Sequence, residues 1–304
     1  MARAVDLLVP AISRLVAAGV PDAARDARRL LGHATGVGID RLTLILPEEV
    51  DPDKEAAFEA LIARRVRREP VSHLTGFRAF YGRDFIVTSE VLDPRPETET
   101  LLEVALAEPF SDLLDLGTGS GCILLSLLAE RPNASGIGTD ISSAAVQIAQ
   151  KNAARFGLRG RAEVHYGSWY DAIPPKVVSD PAQGGFASAE IVEEQTFDLI
   201  VSNPPYVALS EISELAPEVR RWEPRQALTD GGDGLDAYRA IAEGLHERLR
   251  PGGRLVVEIG PTQAYDVMDL FRMAGLRGIT VVQDLDGRDR VVAGRADSNQ
   301  TPGF

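Results

Sequence analysis

The stretch DLLDLGTGSG, residues 112–121, constrains this chain more than any other. A short apolar run ending in Asp115 passes directly into Gly117-Thr118-Gly119-Ser120-Gly121, and an apolar helical pattern follows through Glu130. A backbone that turns sharply from strand to helix while lying against a ligand needs residues without a Cβ. The spacing is one residue shorter than the G-x-G-x-x-G dinucleotide fingerprint, and a tight structural turn would also explain it. Downstream the texture stays alternating. SGIGTD (135–140) precedes a helix to about Phe156 that Gly157 stops, and AEVHY (162–166) and FDLIVSNPPY (197–206) read as further strands. A helix from Leu235 to Arg250 leads through a Pro251-Gly252-Gly253 turn into RLVVEIG. ITVVQDL and RVVAG close the pattern as a hairpin around Asp286-Gly287. Alternation of this kind predicts an α/β fold, a doubly wound parallel sheet with helices on both faces.

Upstream the pattern is helical from Val5 to Arg68. Leu7, Leu8, Ile12, Leu15 and Val16 form one apolar stripe. Pro21 and Asp22 open a second helix that stops near Gly32, and Asp51 and Pro52 open a third, with Phe58, Leu61, Ile62 and Val66 on one face. Arg64, Arg65, Arg67 and Arg68 end that helix, either as a solvated face that complements the helix dipole or as a docking patch. PVSHLTGFRAFYGRDFIVTSEVLDPRPETE then reads as a hairpin linker, and Pro94 and Pro96 stiffen the approach to a helix from about Glu97 to Ala107. The expected domains are 1–75 (helical), 76–96 (linker) and 97–304 (α/β). The Pro-, Gly- and Ala-rich run at 174–194 is expected to be a mobile surface insertion, and 299–304 a frayed tail.

The charge balance narrows the partners. With 32 Lys and Arg against 45 Asp and Glu, the net charge is −13, which disfavours a body that grips phosphate backbones and suits a protein partner with a basic surface. The single cysteine, Cys122, excludes an internal disulfide and a thiolate cluster, and reads as a small buried residue rather than a nucleophile. The four histidines lie far apart without ligand spacing, so no metal is expected. No apolar run approaches the roughly 18 residues of a membrane span. A cytoplasmic monomer is the expectation.

Candidate site residues gather at the carboxyl ends of the predicted strands, where open α/β sheets bind ligands. Asp140 ends the second strand and offers a carboxylate to two ribose hydroxyls, or caps the next helix. Trp169, in GSWYD after the third strand, would pack against an adenine ring or belong to the core. Asn203-Pro204-Pro205-Tyr206 ends the fourth strand. An amide nitrogen is a poor nucleophile because its lone pair is delocalised. The Asn203 side-chain oxygen and the Pro204 carbonyl can accept its two N–H bonds, turn it toward an electrophilic methyl and stabilise the growing positive charge. Pro205 forces Pro204 into an extended conformation, and Tyr206 offers a flat face to a planar group.

The set DLGTGSG, TD, SNPPY, RRWEP and VVEIG, with EPVSHLTGFRAFYG and DPRPETE upstream, resembles the HemK/PrmC family of peptide chain release factor N5-glutamine methyltransferases over nearly the whole chain. The resemblance implies a seven-stranded Rossmann-like class I methyltransferase sheet with a C-terminal antiparallel hairpin. It implies N5-methylation of the glutamine in the Gly-Gly-Gln loop of release factors, with the helical domain docking the substrate. Gly117, Thr118, Gly119, Ser120, Gly121, Asp140, Trp169 and Asn203 would then touch S-adenosylmethionine, which leaves as S-adenosylhomocysteine. Asn203, Pro204, Pro205 and Tyr206 would touch the glutamine, Asn203 and Pro204 catalytically. Two departures stand out: Ser168 where relatives carry an acidic residue, and Trp222 between Arg221 and Glu223 where they carry Phe or Tyr. NPPY is shared with adenine-N6 nucleic-acid methyltransferases, which would also need a basic channel and a target-reading domain. A glutamine methyltransferase acting on a ribosomal protein is the nearer alternative.

Overall fold

The computed structural model describes residues 2–179 and 190–298, so the tail expected at 299–304 lies outside the described residues. The chain forms two compact units. The first runs to Arg78 and adds Val87–Ser89 and Leu215–Glu223, and the second takes Ala79–Ile86, Glu90–Glu214 and the chain from Pro224 onward.

The first unit packs α1 (Ala4–Ala17), α2 (Ala23–Thr35), α3 (Leu42–Ile45), α4 (Pro52–Val66) and α5 (Val71–Thr75) around Leu15, Leu30, Leu31, Phe58 and Ile62. The buried stripe of α1 is rotated from the expected one: Ala4 and Ala11 join Leu7, Leu8 and Leu15, while Val16 stands 61% exposed. Small residues allow the close approach of α2 that a larger side chain would block. Helix α2 runs past Gly32 and ends at Gly36, whose φ of 75° forms the left-handed cap. The short helices α3 and α5 carry too few turns to show a period in sequence.

The arginine cluster is neither a solvated face nor a free patch. Arg65 is buried, donating to Asp26 at 2.8 Å, to Glu218 at 2.9 Å and to the Glu69 carbonyl at 3.1 Å. Arg68 forks onto both Glu218 oxygens at 2.6 and 2.7 Å, and Arg64 pairs with Glu69. Of the four, Arg67 is exposed and the Arg64 side chain remains 43% exposed beside its partner. Glu218 belongs to α9 (Pro217–Trp222), and the Trp222 indole N–H reaches the Arg67 carbonyl at 3.4 Å.

Strands β1 (Phe77–Phe80) and β2 (Arg83–Ile86) form the expected hairpin, turning on Tyr81 and Gly82, both at positive φ. Helix α6 (Glu99–Leu106) follows. The second unit then alternates β3 (Asp112–Leu116), α7 (Cys122–Glu130), β4 (Ser135–Asp140), α8 (Ser143–Arg155) and β5 (Ala162–Tyr166). Strands β6 (Lys176–Ser179) and β7 (Glu190–Glu193) pair antiparallel inside the run expected to be a mobile surface insertion. Next come β8 (Phe197–Ser202), α10 (Asp236–Glu243), α11 (Leu245–Arg248), β9 (Leu249–Glu258), α12 (Ala264–Met273), β10 (Arg277–Gln283) and β11 (Asp289–Arg295).

Seven strands make one sheet in the order β10-β11-β9-β8-β3-β4-β5. The five from β9 to β5 are parallel, and β11 runs antiparallel between β9 and β10. Alternation along each strand feeds two cores. Leu113, Val201 and Val256 face the α6–α7–α8 side with Leu102, Leu124 and Ala149. Leu114, Ile200 and Leu255 face the other side with Tyr238, Ile241 and Phe271. The helix expected from Leu235 to Arg250 breaks at Gly244, where a Cβ would lie 2.2 Å from the Tyr170 ring. Strand β9 begins before the Pro-Gly-Gly turn rather than after it, and its pairing with β8 shifts register there.

Removing the buried guanidinium strands the Asp26 carboxylate and leaves Glu218 to Arg68 alone, so Arg65→Ala is expected to cost about 3–5 kcal/mol of stability. Arg67→Ala should stay within about 0.5 kcal/mol. Urea unfolding of both variants checks this, and equal losses would contradict the buried ion-pair arrangement.

Candidate active site

The carboxyl ends of β3, β4 and β8 border one cavity of roughly 990 Å³, part of it open to solvent. Backbone register brings them level, since Leu116 pairs with Thr139 on one side and Ser202 on the other. The glycine turn is pinned to β4 because the Gly117 and Thr118 N–H groups both donate to the Thr139 carbonyl at 2.9 Å. Gly117 and Gly119 have φ of 71° and 56°, and a Cβ on either would point into open space. Their backbone can therefore lie directly against a ligand.

Asp140 holds this turn. Its Oδ2 accepts the Gly119 N–H at 2.8 Å and its Oδ1 accepts the Ser142 N–H at 2.8 Å. Ser142 itself caps α8, accepting from the Ala145 N–H, so the helix cap foreseen as an alternative for Asp140 falls to its neighbour. A carboxylate has about four lone-pair sites, which leaves acceptor capacity on the cavity side. Burial raises the Asp140 pKa against the pull of its two backbone donors.

Thr118, Ser120, Trp169, Asn203 and Pro205 also line the cavity. Trp169 is both wall and core, packing partly against the Tyr238 cluster. Its φ of 44° is left-handed, which for a bulky residue costs on the order of 1–3 kcal/mol and is typical of functional sites. Gly121 does not line the cavity: a Cβ there would meet Leu125 and Ala149, so this glycine serves the packing of α7 against α8. Pro204 is buried, and Tyr206 sits behind the wall with its hydroxyl 3.3 Å from Glu258. Cys122 lines the cavity, and burial pushes its thiol up to about 12, which keeps it neutral.

Asn203 is anchored by its nitrogen, which donates to the Thr98 hydroxyl at 3.2 Å. The Thr98 hydroxyl in turn lies near the buried Glu258 carboxyl and lowers its pKa. Neither Thr98 nor Glu258 was singled out from the sequence. Their only signal was membership of DPRPETE and VVEIG, an isolated hydroxyl in one and an acid within an apolar strand in the other. Pro94 and Arg95 of the first motif line the cavity too, as do Pro224, which ends RRWEP, and Gln226 and Ala227 just beyond it. An acidic trio elsewhere, Asp230, Asp233 and Asp236, binds backbone N–H groups and Arg239.

A strand-to-helix glycine turn, an acid ending the neighbouring strand and a parallel sheet closed by an antiparallel strand define a methyltransferase domain. Residues 110–271 match the family described as methyltransferase domain, and residues 6–76 match the PrmC N-terminal domain. The crystal structure of a methyltransferase from Pyrococcus furiosus superposes with a TM-score of 0.52 at 15% identity, over 77% of this chain and 98% of that one. The hMettl16 catalytic domain in complex with MAT2A 3'UTR hairpin 6 gives 0.53 at 16% identity, over 80% and 84%. These two show the fold. The chain belongs to the release factor glutamine methyltransferase family: the protein of that name from Cereibacter sphaeroides is 53% identical over 96% of this chain and 98% of its own. The one from Rhodospirillum rubrum is 44% identical over 93% and 82%, and that from Caulobacter vibrioides 42% over 95% and 95%.

Asp115 carries a pH signature. Burial pushes its carboxyl up to about 7, against the Thr118 hydroxyl at 2.7 Å and the Leu124 N–H. The folded protein therefore holds this proton where the unfolded chain has lost it, and stability falls as pH rises from about 4 to about 7. Asp115→Asn keeps the acceptor without the charge. Its melting temperature should exceed that of the wild type at about pH 8, and the gap should close toward about pH 4. A gap independent of pH in thermal melts would contradict the buried-acid assignment.

Proposed function

We propose that this enzyme transfers a methyl group from S-adenosylmethionine to the side-chain N5 of the glutamine in the Gly-Gly-Gln loop of peptide chain release factors, releasing S-adenosylhomocysteine. The reaction would serve translation termination in the cytoplasm, with the helical unit docking the body of the factor. One observation carries this reading: the Asn203 carboxamide lines the same cavity as Gly117, Gly119 and Asp140, with its nitrogen engaged by Thr98 and its oxygen left for a donor. The names of the family relatives supply the substrate.

The residues present suit the cofactor. The bare backbone at Gly117 and Gly119 accommodates close approach, the spare lone pairs of Asp140 suit ribose hydroxyls, and Trp169 offers an aromatic face. When bound, S-adenosylmethionine supplies a sulfonium-activated methyl. Asn203 Oδ1 and the Pro204 carbonyl accept the two substrate N–H bonds, which fixes the nitrogen lone pair in line with that methyl and stabilises the positive charge that builds on nitrogen. As the C–N bond forms and the C–S bond breaks, the nitrogen sheds one proton to solvent. Pro205, on the cavity wall, restricts the opening to a planar group, with the Tyr206 ring packed behind it.

With labelled S-adenosylmethionine, a release factor should take up label and duplex DNA should not, and replacing the loop glutamine of the factor by alanine should abolish it. Asn203→Ala should lower kcat by about 10²–10³-fold. Its S-adenosylmethionine Kd, measured by calorimetry, should stay within about three-fold, since its part is in the transition state. Preferential labelling of DNA or of a ribosomal protein would overturn the substrate assignment.

A further inference from the structure

Behind Asn203 runs a line of side chains that the proposed chemistry does not itself use. Asn203 Nδ2 donates to Thr98 Oγ1 at 3.2 Å, and the Thr98 hydroxyl lies close enough to the carboxyl of Glu258, at the end of β9, to pull its pKa down. The Tyr206 hydroxyl donates to Glu258 Oε1 at 3.3 Å. The Tyr206 end of the segment thus rests on an acid that is 1% exposed, and the Asn203 end on a hydroxyl beside that acid. The backbone around it is held separately. The Tyr238 hydroxyl donates to the Glu258 carbonyl at 2.9 Å, and Gln263 Nε2 donates to the Tyr206 carbonyl at 2.9 Å.

We propose that Glu258 is a positioning residue that fixes the direction of the Asn203 carboxamide, acting through the Thr98 hydroxyl. The two ends of a carboxamide are nearly isosteric, yet one donates and the other accepts. An Asn203 flipped by half a turn would set N–H against the substrate N–H and could neither orient nor stabilise it. A threonine hydroxyl can satisfy either orientation, so Thr98 alone does not choose. An ionised carboxylate only accepts. It takes the Thr98 proton, leaves the Thr98 oxygen to accept, and so admits only the nitrogen end of Asn203. The second Glu258 oxygen is buried without a hydrogen-bond partner. A neutral glutamine at 258 could donate to Thr98, freeing Thr98 to donate to Asn203 and losing the choice. The groups facing this carboxyl are Thr98, Tyr206, Tyr238, Arg290, Glu97 and Cys122. Burial holds Glu258 at about 7.

The kinetic part of the test rests on the proposed release-factor reaction, and a spectroscopic part does not. Glu258→Gln and the near-isosteric Thr98→Val should each lower kcat by roughly 10- to 30-fold, with KM for both substrates within about three-fold. The double variant should fall no more than about two-fold below the worse single, because one chain of contacts is cut twice. The wild-type kcat should rise with pH through about 7, and that step should vanish in Glu258→Gln. The Asn203 side-chain NH2 resonances, identified by their loss in Asn203→Ala, should shift in both single variants without any substrate present. Multiplying losses, or unchanged kcat with unmoved resonances, would overturn the positioning role. If the wild type failed to methylate a release factor while the resonances responded as stated, the substrate reading would fall and the positioning role would stand. Should Glu258→Gln not fold, Thr98→Val decides by the same readouts.

Discussion

Leu116 is paired with Thr139 on one flank and Ser202 on the other, and that register is what the rest of the site depends on. Because three parallel strands end level, the turn after β3, the acid after β4 and the amide after β8 open on the same space. Side-chain and backbone bonds lock the alignment at its tips: the Ser202 hydroxyl donates to the Leu116 carbonyl at 2.7 Å, and the glycine turn donates twice to Thr139. A slip of one residue in a pleated strand sends every side chain to the opposite face. Asp140 and Asn203 would then be lost to the cavity even with every local motif intact. The double-sided core prevents such a slip, since Leu113 and Leu114 each have a different set of partners to satisfy.

This edge concentrates buried acid. Asp115, Asp140 and Glu258 all have their pKa raised by desolvation, and Asp115 is raised further by Asp140. Groups of this kind lower the stability of a folded domain near neutral pH. What offsets them is apolar area buried a few residues away along the same strands, at roughly 25 cal/mol per Å². A strained Trp169 adds to the same debit. Functional sites commonly break local rules that the surrounding packing then over-determines.

The sheet, its parallel order and its closing hairpin were legible because short apolar runs alternating with helical patterns are local signals. So were the glycine turn, Asp140 and Asn203, each marked by a short motif at a strand end. Contacts between distant segments were not. The burial of Arg65 depends on Asp26 and on Glu218, which lies far along the chain, whereas four arginines at a helix end look like a solvated terminus. Gly244 gave no reason to break a helix until the Tyr170 ring was found beneath it. Thr98 and Glu258 sat inside motifs recognised as wholes, and a motif recognised whole does not say which of its side chains meet. Glycine 121 shows the converse: spacing grouped it with the ligand-facing glycines, while packing assigned it to the seam between α7 and α8.

The choice of an amide at position 203 follows from its surroundings. In the proposed reaction a carboxylate there would accept a substrate N–H at least as well, but it would enter an edge already holding three raised acids. Like charges so placed push one another toward protonation, and a protonated acid donates where acceptance is needed. Asparagine accepts without adding charge. Its weakness is that it has two faces, one of each sense, and nothing in the residue selects between them. The selection has to come from outside, from a group that only accepts, one hydroxyl away. In the proposed arrangement the buried acid at the end of β9 meets that requirement when ionised, and the same carboxyl steadies the aromatic ring at the far end of the motif.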